Sequence, residues 1–92
     1  MANPNSSYPT SNTAMAAYLL TEGFTHTKTT SNPRQLRTNG FDAVFHFQDD
    51  PHILDCVRLW QTCQATGNLS VFFDNYRFFV REAKKAVGVA SL

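Results

Sequence analysis

The sequence has no long apolar run. Nowhere does it approach the roughly 18 consecutive apolar residues of a membrane span, and its first residues lack both the basic and the apolar segment of a secretory leader. The expectation is a cytoplasmic protein with no membrane partner. An excess of either charge is also missing: a formal net charge of +1 over 92 residues offers no global field to hold nucleic acid. The imbalance is local. Residues 1–50 carry three Lys or Arg against four Asp or Glu, and residues 51–92 carry five against three, so any anion-binding face belongs to the second half.

Cysteine is scarce. Cys56 and Cys63 lie seven residues apart on one predicted helix, which sets their Cα atoms roughly 10 Å apart and beyond disulfide reach. Both are read as free thiols on an apolar stripe, a poor setting for a nucleophile. His52, Cys56 and Cys63 share helical spacing, but the short C-x-x-C pairing of a structural zinc site is absent and no motif indicates a fourth ligand. The glycine-rich phosphate loops, the G-x-S-x-G turn and H-E-x-x-H are absent as well. Asp49 and Asp50 are explained by helix capping, and the other acids are scattered. The sequence therefore predicts no catalytic residue, metal site, cofactor or small-molecule substrate.

What is present suits one modest core. Apolar residues make up 42% and aromatics 13%, with eight Phe, which is a globular rather than a disordered composition. Residues 1–12, "MANPNSSYPTSN", are rich in Asn, Ser and Pro with one aromatic, Tyr8, and read as a flexible arm. A single domain is expected over 13–88, with a tail at 89–92. "TAMAAYLLTEGF" predicts a helix over about Thr13 to Glu22, facing inward through Met15, Tyr18 and Leu19 and ended by Gly23. "FTHTKTT" alternates like a strand with one wet, Thr-rich face. "FDAVFHFQ" sends Phe41, Ala43, Phe45 and Phe47 to one face and Asp42, Val44, His46 and Gln48 to the other. Between them, Asn39-Gly40 either closes a tight turn from Gln35–Thr38 to Phe41 onward, or Ser31 to Gly40 is one long loop.

A second helix is signalled by Asp50 as cap, Pro51 at the first position and Gly67 beyond the end. Ile53, Cys56, Val57, Trp60 and Cys63 form its buried stripe. The last helix opens near Asn68 or Ser70 and runs toward Gly88, burying Phe72, Phe73, Tyr76, Phe79 and Val80. Phe78 falls off that stripe beside Arg77 and Arg81, and it is the candidate protein contact. Arg77, Arg81, Lys84 and Lys85 form a basic strip. With Arg34 and Arg37 they are the candidate nucleic-acid contacts, although the helix dipole also favours basic side chains in the last turns.

Three segments, "MAAYLLTEGF", "FHFQDDP" leading into "VRLWQT", and "FFDNYRFF", resemble a small uncharacterised domain family of bacteria and their phages. The resemblance spans about Ala14 to Lys84. It implies a short helix ending in Gly-Phe, a hairpin, a strand ending in Phe-x-Phe and acids, and two helices, and it implies no activity. The fold expected is a small α+β domain: a short N-terminal helix, an antiparallel hairpin of two or three strands, and two C-terminal helices on one sheet face. The function expected is a non-catalytic protein-interaction module or small accessory subunit of a bacterial or phage assembly, contacting another protein or itself through Phe78, the Thr-rich face or a sheet edge. The alternative is a nucleic-acid-associated protein.

Overall fold

The computed structural model describes residues 7–33 and 41–90. Its elements run β1 (Ser7–Thr10), α1 (Thr13–Thr21), β2 (His26–Pro33), β3 (Phe41–Gln48), α2 (Ile53–Gln61) and α3 (Leu69–Ala90). The three strands make one antiparallel sheet in the order β1-β3-β2. The architecture is the α+β domain expected.

The third strand comes from the stretch read as a flexible arm. Ser7, Tyr8, Pro9 and Thr10 pair with Gln48, Phe47, His46 and Phe45. Composition undervalued it because its gain is non-local: β3 is already held by β2, and its free edge offers a ladder whatever the polarity of the strand that fills it. The chain then turns directly into α1. Thr10 Oγ1 accepts the Asn12 N–H at 3.1 Å, and Asn12 Oδ1 caps the helix by accepting the Met15 N–H at 3.0 Å.

The β2–β3 ladder runs from His26↔Phe47 to Pro33↔Phe41. Pairing thus extends beyond Ser31, which rules out the single long loop, and reaches Phe41 opposite Pro33 rather than Thr38. The Asn39-Gly40 signal, Arg34 and Arg37 lie outside the described residues.

Both edges resist pairing with another chain. β1 is four residues long and contains Pro9, which has no N–H to donate, and β2 is offset between His26 and Lys28.

From Ala43 to Gln48 the alternation is as expected: Phe45 and Phe47 are fully buried and Ala43 packs beside them, whereas Val44 and His46 are half-buried on the opposite face; the side chains of Phe41 and Asp42 lie outside what the structure describes. α3 lies across β2 and β3 on the phenylalanine face, α1 packs on α3 and touches β1, and α2 packs on α1. Enclosure by three elements explains why α1 buries Met15 through Leu19 in one continuous run, a wider face than the expected Met15, Tyr18 and Leu19.

Helix ends follow the sequence signals at α1 and at the start of α3, and depart from them at both ends of α2 and at the end of α3. Gly23, at φ 99°, ends α1, and the N–H groups of Gly23 and Phe24 return to the carbonyls of Leu20 and Leu19 at 3.1 Å each. The same closure ends α2 at a residue that is not glycine. Cys63 takes φ 59°, its N–H reaches the Trp60 carbonyl at 3.1 Å, and the Gln64 N–H reaches Leu59 at 2.8 Å. α2 therefore stops well short of Gly67, and Cys63 is exposed rather than buried beside the tryptophan, while Cys56 is half-buried. At the other end, α2 starts at Ile53 with His52 at the cap position and no side-chain cap bond, so Pro51 lies in the preceding turn rather than at the first helical position; Asp50 closes that turn, its carboxylate accepting the His52 N–H at 2.8 Å. α3 opens on Asn68, whose Oδ1 accepts the Val71 N–H at 3.1 Å, and continues through Gly88 to Ala90.

Candidate protein-interaction surface

Two clusters of aromatic rings hold α3 in place. The first joins α3 to the sheet: the Phe79 ring lies 4.8 Å from Phe45, 5.9 Å from Phe47, 5.0 Å from His26 and 5.1 Å from Phe78. The second is a stack between helices, Tyr18 on Trp60 at 5.7 Å, Trp60 on Phe72 at 6.3 Å and Phe72 on Tyr76 at 6.3 Å, with ring planes tilted by 27–28°. It opens onto a cleft of about 450 Å³ lined by Tyr18, Trp60, Leu69, Phe72 and the 65–67 loop. Asn75 links the two sides, donating from Nδ2 to Thr21 Oγ1 at 3.0 Å, while Thr21 in turn donates to the Ala17 carbonyl at 2.7 Å.

These contacts fix the rotation of α3, and it differs from the expected one. Phe72, Asn75 and Phe79 point inward, and Phe73 and Tyr76, expected in the core, point outward. Leu69 is 70% exposed, Phe73 52% and Tyr76 37%, with Val80 half-buried on the same side. At 100° per residue, Leu69, Phe73, Tyr76 and Val80 fall within an arc of about 60°. Their spacing of four, three and four is that of a helix-docking seam. Leu69 belongs to the stripe and to the cleft wall alike, so the two form one apolar surface. α2 exposes Leu54 and Leu59 as well, but five residues apart they face different sides of their helix.

Phe78, the expected contact, is half-buried, and its ring packs against His26 at 5.8 Å and Phe79. Most of what it offers is committed to the core. Arg77, Arg81, Lys84 and Lys85 are all exposed along one side of α3, directly beside the apolar stripe. Asp74 engages Arg77 at 3.4 Å, and among the described residues Arg81, Lys84 and Lys85 have no ion-pair partner. The stripe itself, Leu69, Phe73 and Tyr76, was missed as a surface. Its signal was present: Leu69 to Val80 holds too many large apolar residues for one helix face, so a second face had to be exposed.

Titratable groups are tuned by burial. Tyr18 is pushed up to about 12, by burial first and then by a hydrogen bond to Glu22 and the charge of that carboxylate. Burial, followed by the charge of Glu22, raises Cys56, the opposite of the shift a nucleophilic thiolate needs. His26 and His46 are both lowered, chiefly by burial. For His46 the positive charges of Lys28 and His26 add to the effect, whereas for His26 a backbone hydrogen bond at Lys28 and the Glu82 carboxylate oppose it. His46 sits on the helix-free sheet face, 2.8 Å from Thr30 Oγ1 through Nε2 and 3.4 Å from Ser7 Oγ through Nδ1, so it ties both edge strands to β3. Among the described residues no three of His, Cys, Asp and Glu converge as a metal-binding group, and no helix is long and apolar enough to cross a membrane.

No family model, curated protein or solved structure matches this chain. The surface stands on its own chemistry.

Proposed function

We propose that the domain is a non-catalytic protein-interaction module or small accessory subunit of a bacterial or phage assembly, and that its contact surface is the outer face of α3 rather than Phe78 or a sheet edge. The observation that carries this reading is the exposed apolar stripe of Leu69, Phe73 and Tyr76, continuous with the cleft beside Trp60. In a domain of this size the core has first claim on aromatics, so two left outward on one face mark a surface covered by something else. The protected edges of the sheet argue against strand addition as the route.

The alternative, a nucleic-acid-associated protein, draws on the four exposed basic side chains of α3. The two readings respond oppositely to substitution. The tagged full chain is recovered from the cells that produce it, as wild type, as Phe73→Ser/Tyr76→Ser, and as Arg77→Glu/Arg81→Glu/Lys85→Glu. The expected result is a protein that co-purifies with wild type and is lost with the first variant, while that variant still unfolds cooperatively at a midpoint lowered by only a few degrees, since both rings touch Phe72. Nucleic acid that co-purifies with the first variant but not with the second would favour the alternative.

A further inference from the structure

We propose, building on the interaction-module reading, that α3 docks a partner α-helix whose apolar face is bordered by carboxylates. The stripe has the dimensions for one helix and little more: four apolar positions in an arc of about 60°, spaced four, three and four, so a partner helix lying along α3 meets each in turn. The cleft at its start, about 450 Å³ and walled by Trp60, Leu69 and Phe72, takes one large side chain of that helix as an anchor. The border of the stripe sets the charge. Arg81, Lys84 and Lys85 stand on one flank without an ion-pair partner among the described residues, and Asp74 is already engaged by Arg77. An acidic flank on the partner meets them, and a basic or neutral one leaves them facing like charge or nothing.

The same flank disfavours a second copy of this chain. Antiparallel two-fold pairing of α3 with itself sets the basic side of one helix against the basic side of the other.

The test is a selection of random peptides of about 16 residues on the purified full chain, with counter-selection on Phe73→Ser. Phe73 is 52% exposed and touches Phe72 at 5.6 Å, so the variant is expected to stay folded with a midpoint only a few degrees lower, which a thermal melt verifies. Enriched peptides are synthesised and titrated by the fluorescence of Trp60, the single tryptophan of the chain, which stands at the cleft. The expected peptides carry apolar residues three and four apart with Asp or Glu beside them. They bind wild type about tenfold more tightly than Arg81→Glu/Lys84→Glu/Lys85→Glu and weaken as salt rises. Peptides of neutral or basic flank, or indifference to the charge reversal, overturn the acidic helix and leave α3 as a contact surface. Failure to enrich any peptide that depends on Phe73 counts against both. A dimer of the protein alone that dissociates on Phe73→Ser assigns the stripe to a second copy and overturns the proposal.

Discussion

Two phenylalanines six residues apart, Phe73 and Phe79, have opposite roles because one faces out and one faces in. Phe79 is fully buried against Phe45, Phe47 and His26, and Phe79→Ala is expected to cost about 3–5 kcal/mol through lost burial and the cavity left behind. Phe73→Ser, which removes a half-covered ring and its edge contact with Phe72 at 5.6 Å, is expected to cost only about 1 kcal/mol. Urea denaturation of both variants checks the pair, and a large loss at Phe73 would mean that α3 is rotated differently. Cys63 makes a second prediction at this scale. Its left-handed backbone costs a residue with a Cβ roughly 1–2 kcal/mol that glycine avoids. Cys63→Gly is therefore expected to raise the thermal midpoint by a few degrees, measured by calorimetry under reducing conditions.

The half-buried histidines His26 and His46 give stability a pH dependence whose sign follows from their lowered values. In the unfolded chain His26 and His46 take up protons near about 6.5, and in the folded chain only at lower pH. Their contribution is thus fully present above about 6.5 and is lost as the pH falls from there through the folded values. The thermal midpoint should fall between pH 7.5 and pH 5, less steeply in a His26→Gln/His46→Gln variant. Equal slopes in the two proteins would count against this origin.

Among the elements, β1 shows best what a sequence conceals. Removing residues 1–10 would uncover the β3 edge along Phe45 and Phe47 and take away the tie from Ser7 to His46, so the truncated chain should unfold at lower urea concentration and exchange the β3 amides faster. A truncation as stable as the full chain would mean that β1 adds nothing to the sheet. The strand escaped notice because "SYPT" carries no alternation of its own; its stability resides in β3. The elements that were legible carried their signal locally: Asn12 and Gly23 bracket α1, Asp50 closes the turn before α2, Asn68 opens α3, and the phenylalanines at 45 and 47 mark the inner face of β3. α3 was legible as a helix but not in its rotation. With apolar residues on more than half its circumference, periodicity alone could not choose between Phe72/Phe79 and Phe73/Tyr76 as the inward pair, and the neighbours of α1 and β3 decided it. The end of α2 was misplaced for a related reason, since Gly67 looked like a terminator and Cys63 did not.

At the scale of the molecule, the described residues form one small core, two protected sheet edges, a polar helix-free sheet face and one helix that keeps an apolar stripe in water beside a basic border. The outer face of α3 is where its chemistry remains unspent. The direct measurement is site-specific photo-crosslinking in the cells that produce the protein, with a benzophenone side chain placed at position 73 on α3 and, separately, at position 30 on the opposite sheet face. A discrete protein adduct from position 73 and none from position 30 is the expected result. Adducts from position 30 alone, or from neither, would contradict it.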